Sequence, residues 1–423
     1  MYKSAVGIFI VSAIGFLVNL FINVKIPLLL DPNDFGVWRT FILITSFSGI
    51  LHLGFVDGAL LRWIRDENLA KSEFVSQFSS FFYFQVVLCT ILIPIALTFS
   101  GIRSYMVAIV IQTIINNVMA LTQAYFQARR KYVFASLITV FYTIIFLVTT
   151  QLFTIQRSIN AENIIFIYTA SGFFITTAII LNVFWGKYKD LLKFNLKYLL
   201  TGIRSGFSIL IAGILTTGFF AADKIVIRAF SNSEKFGLYA FASTIVTIIF
   251  SFISSIASVL LKFFVSSSEI KTQKFYLGAT YIVCIVWIVI LSSFSLEVML
   301  IKRYFHRYVA ALPYLKALNG TIGTGILVQL FQANLIKASG LQKSFLIGTG
   351  VVFSGFVGIS SLLIYLIKDI IIIPFVLAAI FLLWFLINEY VILQKNKMYS
   401  NFGAKRTISV CFCFLIYTVM MVY

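Results

Sequence analysis

The sequence predicts an all-α membrane protein that crosses the bilayer many times, and three observations carry that prediction. Hydrophobic residues make up 61% of the 423-residue chain and charged residues only 11%. Apolar runs of about 20 residues, enough helix to cross a hydrocarbon core roughly 30 Å thick, recur from end to end. The stretches between them are short. A backbone that crosses lipid with so little polar sequence to spare must close its hydrogen bonds within helices.

The first span covers residues 5–30 and carries Lys25 and Pro27 near its far end. It lacks a small-residue cleavage site before the Asp31-Pro32-Asn33-Asp34 turn, so it reads as retained rather than removed as a signal. The second, 39–61, ends in HLGFVDGALLRW. Arg62, Arg65, Asp66, Glu67, Lys71 and Glu73 then read as a charged loop. The third is 74–100. After a break at 101–103 the fourth covers 104–127, interrupted by Gln112, Asn116, Asn117 and Gln123 and closed by Arg129, Arg130 and Lys131. The fifth and sixth are 132–155 and 163–185.

GKYKDLLKFNLKYLLTGIR, the longest basic stretch, follows. Six more apolar segments come after it, at 205–229, 236–261, 275–301, 314–336, 344–367 and 370–393. A last one, 407–423, either spans as a thirteenth helix or lies at the interface. The expected organisation is therefore an N-terminal six-helix lobe (1–185), a basic cytoplasmic linker (186–204), a C-terminal six-helix lobe (205–393), and a basic loop with an extra hydrophobic segment (394–423).

Two passages suggest that the lobes are repeats. VKIPLLLDPNDFGVW echoes DKIVIRAFSNSEKFGLY, and QAYFQARRKYVFASL echoes QANLIKASGLQKSFL. An even number of spans per lobe makes the repeats parallel, related by an axis along the membrane normal.

The net charge of +19 sits on short loops, where Lys and Arg set topology and touch anionic lipid; nucleic acid is not the expected partner. With the N-terminus cytoplasmic, roughly twice as many Lys and Arg fall inside as outside. KRYFHR, residues 302–307, runs against that trend. Cys89, Cys284, Cys411 and Cys413 lie in apolar segments without metal-ligand spacing and read as small hydrophobes. There is no nucleotide-binding phosphate loop, no His- or Cys-rich metal cluster and no long loop to hold a catalytic domain. Transport is the default function.

PNDFGVW, LHLGFVDGALLRW, ADKIVIRAFSNSEKFGLYAF, RYFHRYVAALPYLKAL and ANLIKASG together resemble the polysaccharide flippases, the O-antigen and capsule transporters of the multidrug/oligosaccharidyl-lipid/polysaccharide exporter superfamily. The resemblance implies two six-helix lobes around a central cavity, working by alternating access. Its cargo would be an undecaprenyl-pyrophosphate-linked oligosaccharide, moved to the outer leaflet of the bacterial inner membrane. Membrane lipids, a polysaccharide polymerase and a chain-length regulator are the implied partners. Many members place an acidic residue where His52 stands here, which puts an acidic coupling role at that position in doubt.

A pyrophosphate needs cations inside a hydrated cavity, and Lys25 and Lys224, each in the first helix of its lobe, suit it as point charges. Their alternative is to snorkel to the interface. Asp223 is a candidate ligand for a coupling cation, or a neutraliser of a neighbouring charge. Asp57 is another coupling candidate, with an ion pair to Arg62 as its plainer use. His52 has the side chain whose titration suits proton transfer near neutrality, and Glu389 is a weaker candidate of the same kind. Asn116, Asn117, Gln332 and Asn334 would bind sugar hydroxyls or join helices by hydrogen bonds. With no nucleotide site and no cofactor expected, a Na+ or proton gradient is the implied drive. A multidrug antiporter of the same superfamily would want acidic residues in an apolar cavity. A membrane polymerase or glycosyltransferase would want a large outer loop with acid-base residues.

Overall fold

The computed structural model describes residues 2–96, 105–156, 159–185, 194–266, 269–339, 341–395 and 400–422. The expected break at 101–103, Arg157, Lys397 and the first part of the basic linker, 186–193, lie outside the described residues.

The described chain is helical throughout, with no strand among its residues. In order the helices are α1 (Tyr2–Leu29), α2 (Pro32–Ser46), α3 (Phe55–Arg65), α4 (Glu67–Ala96), α5 (Met106–Ala128), α6 (Tyr132–Gln156), α7 (Ala161–Phe184), α8 (Leu196–Phe230), α9 (Ser233–Ser266), α10 (Glu269–Ser292), α11 (Phe294–Tyr304), α12 (Leu312–Leu318), α13 (Ile322–Ile326), α14 (Ala333–Ala338), α15 (Gln342–Ile367), α16 (Ile372–Lys395) and α17 (Ser400–Val422). Among the described residues nine helices are long and apolar enough to cross a membrane, ten if the pair Pro32–His52 and Phe55–Arg65, bent by 56°, is one span. The protein is a multi-pass membrane protein.

Four sequence expectations are corrected. The second span is not one helix: α2 ends at Ser46, a 3₁₀ turn covers Ser48–His52, and α3 begins at Phe55. The charged stretch 62–73 is not a loop, because α3 and α4 run through it with Asp66 alone between them; the Asp66 carboxylate caps α4 by accepting from the Asn68 N–H at 2.9 Å. The later part of the basic linker is helix, since α8 starts at Leu196, where Asn195 accepts from the N–H of Lys197. The basic loop ends at Ser400, and α17 takes in Arg406.

The repeated loop motifs are helix caps. Asp31 accepts from the Asp34 N–H at 2.8 Å to open α2, and Asn232 accepts from the Lys235 N–H at 2.9 Å to open α9. A buried Phe and a Gly follow each cap at the same distance, Phe35-Gly36 and Phe236-Gly237.

The chain forms two compact units, residues 1–30 with 37–218, and 31–36 with 219–423. In the first unit α1 lies on α6, and α5 packs against α3, α4, α6 and α7. Its core is aromatic: Phe55 stacks on Phe81 at 4.8 Å and Phe74 on Tyr125 at 3.9 Å. Here α3 and α8 meet through two Gly-x-x-x-Gly patterns, Gly54 with Gly58 and Gly202 with Gly206. A Cβ on Gly58 would strike the Gly202 carbonyl, and one on Gly206 the Gly54 carbonyl. Such small-residue faces let helix backbones come together in a membrane.

In the second unit α9 packs on α12 and α14, α10 on α17, and α15 on α16. The 31–36 segment lies against the start of α9, with Gly36 and Gly237 facing each other: a Cβ on either would run into a backbone carbonyl of the other segment, Ser233 or Pro32. Between α12 and α14 the path is irregular, with a 3₁₀ turn at Asn319–Thr321 and a π-helical turn at Leu327–Gln332. Gly320, Gly323 and Gly325 each receive an aromatic ring, from Tyr417, Trp287 and Phe250.

Candidate functional site

In the first unit the polar residues gather where α2 gives way to α3. Leu53 (φ 51°) and Gly54 (φ 84°) are in the left-handed region, so the helix cannot continue, and its orphaned carbonyls need donors in a medium without water. The amides supply them. Asn116 Nδ2 donates to the Thr45 carbonyl (3.3 Å) and to Ser48 Oγ (3.1 Å), and Asn117 Nδ2 to the Ser48 carbonyl (3.1 Å) and to Gln85 Oε1 (2.7 Å). Gln85 Nε2 donates to the Leu51 carbonyl at 2.9 Å, and Gln112 Nε2 to Asn116 Oδ1 at 2.8 Å. Asn116 and Asn117 thus hold the break in place.

His52 is buried at this break, and its Nδ1 accepts from the Gly54 N–H at 3.0 Å. An acceptor at Nδ1 puts the proton of the neutral ring on Nε2. His52 and Asp57 both line a cavity of about 220 Å³, together with Ser46, Ile209 and Thr217. Asp57 stands in the first turn of α3, where the helix dipole favours a negative charge. The expected Asp57–Arg62 ion pair is absent among the described residues. Five positions apart on a helix they diverge, and Arg62 donates instead to Gln77 Oε1 at 3.2 Å. Lys25, half-buried on α1, makes no ion pair among the described residues.

In the second unit Asp223 is buried and accepts from the Tyr239 hydroxyl at 2.5 Å. Lys224 is its other partner. The flexible stem brings Nζ to 3.3 Å from both carboxylate oxygens, although adjacent helical positions point about 100° apart. The Lys224 ammonium is thus already paired. Counted back from the equivalent caps Asp31 and Asn232, Lys25 stands at the position of Val226 and Lys224 at that of Asn23. Two residues out of register, the lysines sit about 200° apart around their respective helices.

A second buried cluster surrounds Glu389. Arg406 donates from Nε to Glu389 Oε1 at 2.7 Å and from its NH1 to Gln273 Oε1 at 2.9 Å, with the guanidinium over the Tyr276 ring at 4.3 Å. The other carboxylate oxygen of Glu389 accepts from the Tyr276 hydroxyl (3.2 Å) and from Gln332 Nε2 (3.3 Å), which also donates to the Phe385 carbonyl. Five polar side chains from four segments meet with no solvent exposure to speak of. Asn334 lies apart and donates to the Leu330 carbonyl four residues back.

Arg406, Gln273, Tyr276, Tyr239 and Gln85 were not singled out from sequence. For Arg406 a signal exists: Gly403, Arg406, Val410, Cys413 and Tyr417 recur every three or four residues and are the buried stripe of α17.

No protein-family profile and no curated protein matches the chain. Solved structures do. A lipid II flippase, MurJ, in an inward closed conformation is similar at TM-score 0.66 and 12% identity, over 100% of this chain and 96% of that one. A multidrug resistance MATE family transporter of the MOP superfamily, inward-facing, is similar at TM-score 0.60 and 14% identity, over 90% of this chain and 96% of the other. The all-α, many-span fold class expected from the sequence is the one found, and its likeness is to transporter folds.

Proposed function

We propose that the chain is a flippase that carries an undecaprenyl-pyrophosphate-linked oligosaccharide across the bacterial inner membrane by alternating access, with its N-terminus in the cytoplasm. The observation that carries the reading is the likeness of fold, over the whole chain, to a lipid II flippase. Charge supports the same direction. Lys25 is a half-buried cation in a membrane helix with no ion pair among the described residues, a costly feature that an anionic headgroup would repay. The drive is a Na+ or proton gradient, and the His52–Asp57 cavity beside the helix break is the place to which we assign proton coupling.

The similarity to a multidrug transporter supports a second reading, export of amphiphilic cations. One experiment separates them. The purified protein is reconstituted in vesicles loaded with a fluorescent undecaprenyl-pyrophosphate oligosaccharide, and a Na+ or pH gradient is imposed. The flippase reading expects the labelled headgroup to become accessible to a membrane-impermeant quencher faster than in empty vesicles. Unchanged accessibility, with ethidium moved instead, would favour the second reading.

A further inference from the structure

We infer that the cleft between α4, α5, α6 and α7 of the first unit is a binding site for an anionic glycerophospholipid. The cleft has a volume of about 530 Å³ and is walled mainly by Phe74, Tyr125, Phe126, Phe134, Leu137 and Phe141. Lys71 and Asn182 line it as well. They mark one end, because Lys71 lies near the start of α4 and Asn182 near the end of α7.

The same end of the cleft carries the turn from α5 to α6, with Arg129, Arg130 and Lys131. Two of these cations flank Glu67, which is 3.6 Å from Lys71 Nζ and 3.9 Å from Arg129 Nε. At that distance Glu67 does not satisfy Arg129 Nε, a buried donor with no hydrogen-bond acceptor, whereas NH1 of the same guanidinium is held by the Tyr125 hydroxyl at 2.8 Å. The Lys131 ammonium lies 5.8 Å from the centre of the Phe134 ring. An aromatic trough ending in clustered cations matches a molecule with an acyl chain and an anionic head.

The occupant follows from the setting. Phe141 is exposed well inside a helix long and apolar enough to span the bilayer, at a depth where a soluble partner does not reach. The volume of about 530 Å³ suits one acyl chain and is too small for the whole chain of a long polyprenyl carrier. The inference does not rest on the proposed cargo.

Trp63 reports on the cleft, since its buried ring lies 5.8 Å from Phe74 and 6.2 Å from Tyr125, two of the lining residues. In the full chain with Trp38→Phe, Trp185→Phe, Trp287→Phe and Trp384→Phe, Trp63 fluorescence is titrated in proteoliposomes with brominated phosphatidylglycerol or brominated phosphatidylcholine. Half-maximal quenching is expected at a severalfold lower mole fraction of phosphatidylglycerol. That preference should vanish in Lys71→Gln with Lys131→Gln at unchanged helicity. Equal quenching by the two lipids, or a preference that survives the double variant, overturns the site. Native mass spectrometry of the unmodified chain is the independent reading: retention of phosphatidylglycerol over phosphatidylcholine is expected, and equal retention overturns it.

Discussion

Arg406 Nε lies 2.7 Å from Glu389 Oε1, and both side chains are buried, at 0% and 2% exposure. The pair ties α17 to α16, and through Gln273 and Tyr276 to α10. Breaking a buried pair leaves an uncompensated charge, so Arg406→Ala should cost about 3–5 kcal/mol. Arg406→Met with Glu389→Leu should recover most of that loss, because two apolar side chains strand no charge. Thermal unfolding in detergent reads both. A single variant within about 1 kcal/mol of wild type would mean that the cluster is hydrated and the pair worth little.

The Gly36–Gly237 approach predicts the effect of the smallest possible addition. Alanine at either position places a methyl group on a backbone carbonyl that belongs to a capped helix start and has nowhere to move. Gly36→Ala and Gly237→Ala should each destabilise by about 1–3 kcal/mol or more, the usual cost of overpacking. Gly213→Ala, with open space around it, is the control and should be close to neutral. Equal melting temperatures for all three would deny the close approach.

Span placement was legible because nothing but helix can carry an apolar run through lipid, and α5, α6 and α7 start within two residues of the expected positions. The break between α2 and α3 was not, because no proline marks it. It depends on Gly54 meeting Gly206 and on amides from α4 and α5, contacts distant in sequence. Asn117 was legible as a polar residue in an apolar helix; its task, feeding a carbonyl near residue 48, was not. Arg406 was misplaced for a simpler reason. A cation beside a basic loop reads as part of the loop unless its helical stripe is followed back from the apolar run, and its partner Glu389 lies on another helix.

His52 gives a pH prediction whose sign follows from its hydrogen bond. Its Nδ1 accepts from Gly54, so protonation at Nδ1 would have to break that bond; the loss is expected as pH falls through the range in which histidine titrates. If the proposed coupling holds, transport by the wild type should change as pH falls and the buried ring takes up a proton. His52→Gln keeps an acceptor for the Gly54 N–H without a titrating ring, and should fold normally but transport with little pH dependence. His52→Ala should in addition cost about 1–3 kcal/mol, because the Gly54 N–H is left unpaired. Full, pH-dependent transport by His52→Gln would remove His52 from the coupling step.

The two lysines make unequal predictions, because their surroundings differ. Lys25 has no carboxylate partner among the described residues, whereas the Lys224 ammonium is 3.3 Å from both oxygens of Asp223. Under the proposed function, Lys25→Ala should therefore lower headgroup flipping more than Lys224→Ala does, by about tenfold if a charge-assisted contact of roughly 1.5 kcal/mol is lost. Lys224→Ala removes one of the two partners of a buried carboxylate, so its larger effect should be on stability. Tyr239→Phe, which deletes the other partner, should lower the melting temperature in the same direction. Flipping and unfolding measured on the same preparations separate the roles. Equal flipping by Lys25→Ala and wild type would rule out Lys25 as a headgroup contact, and a Lys224→Ala protein as stable as wild type would show that Tyr239 alone suffices to hold Asp223.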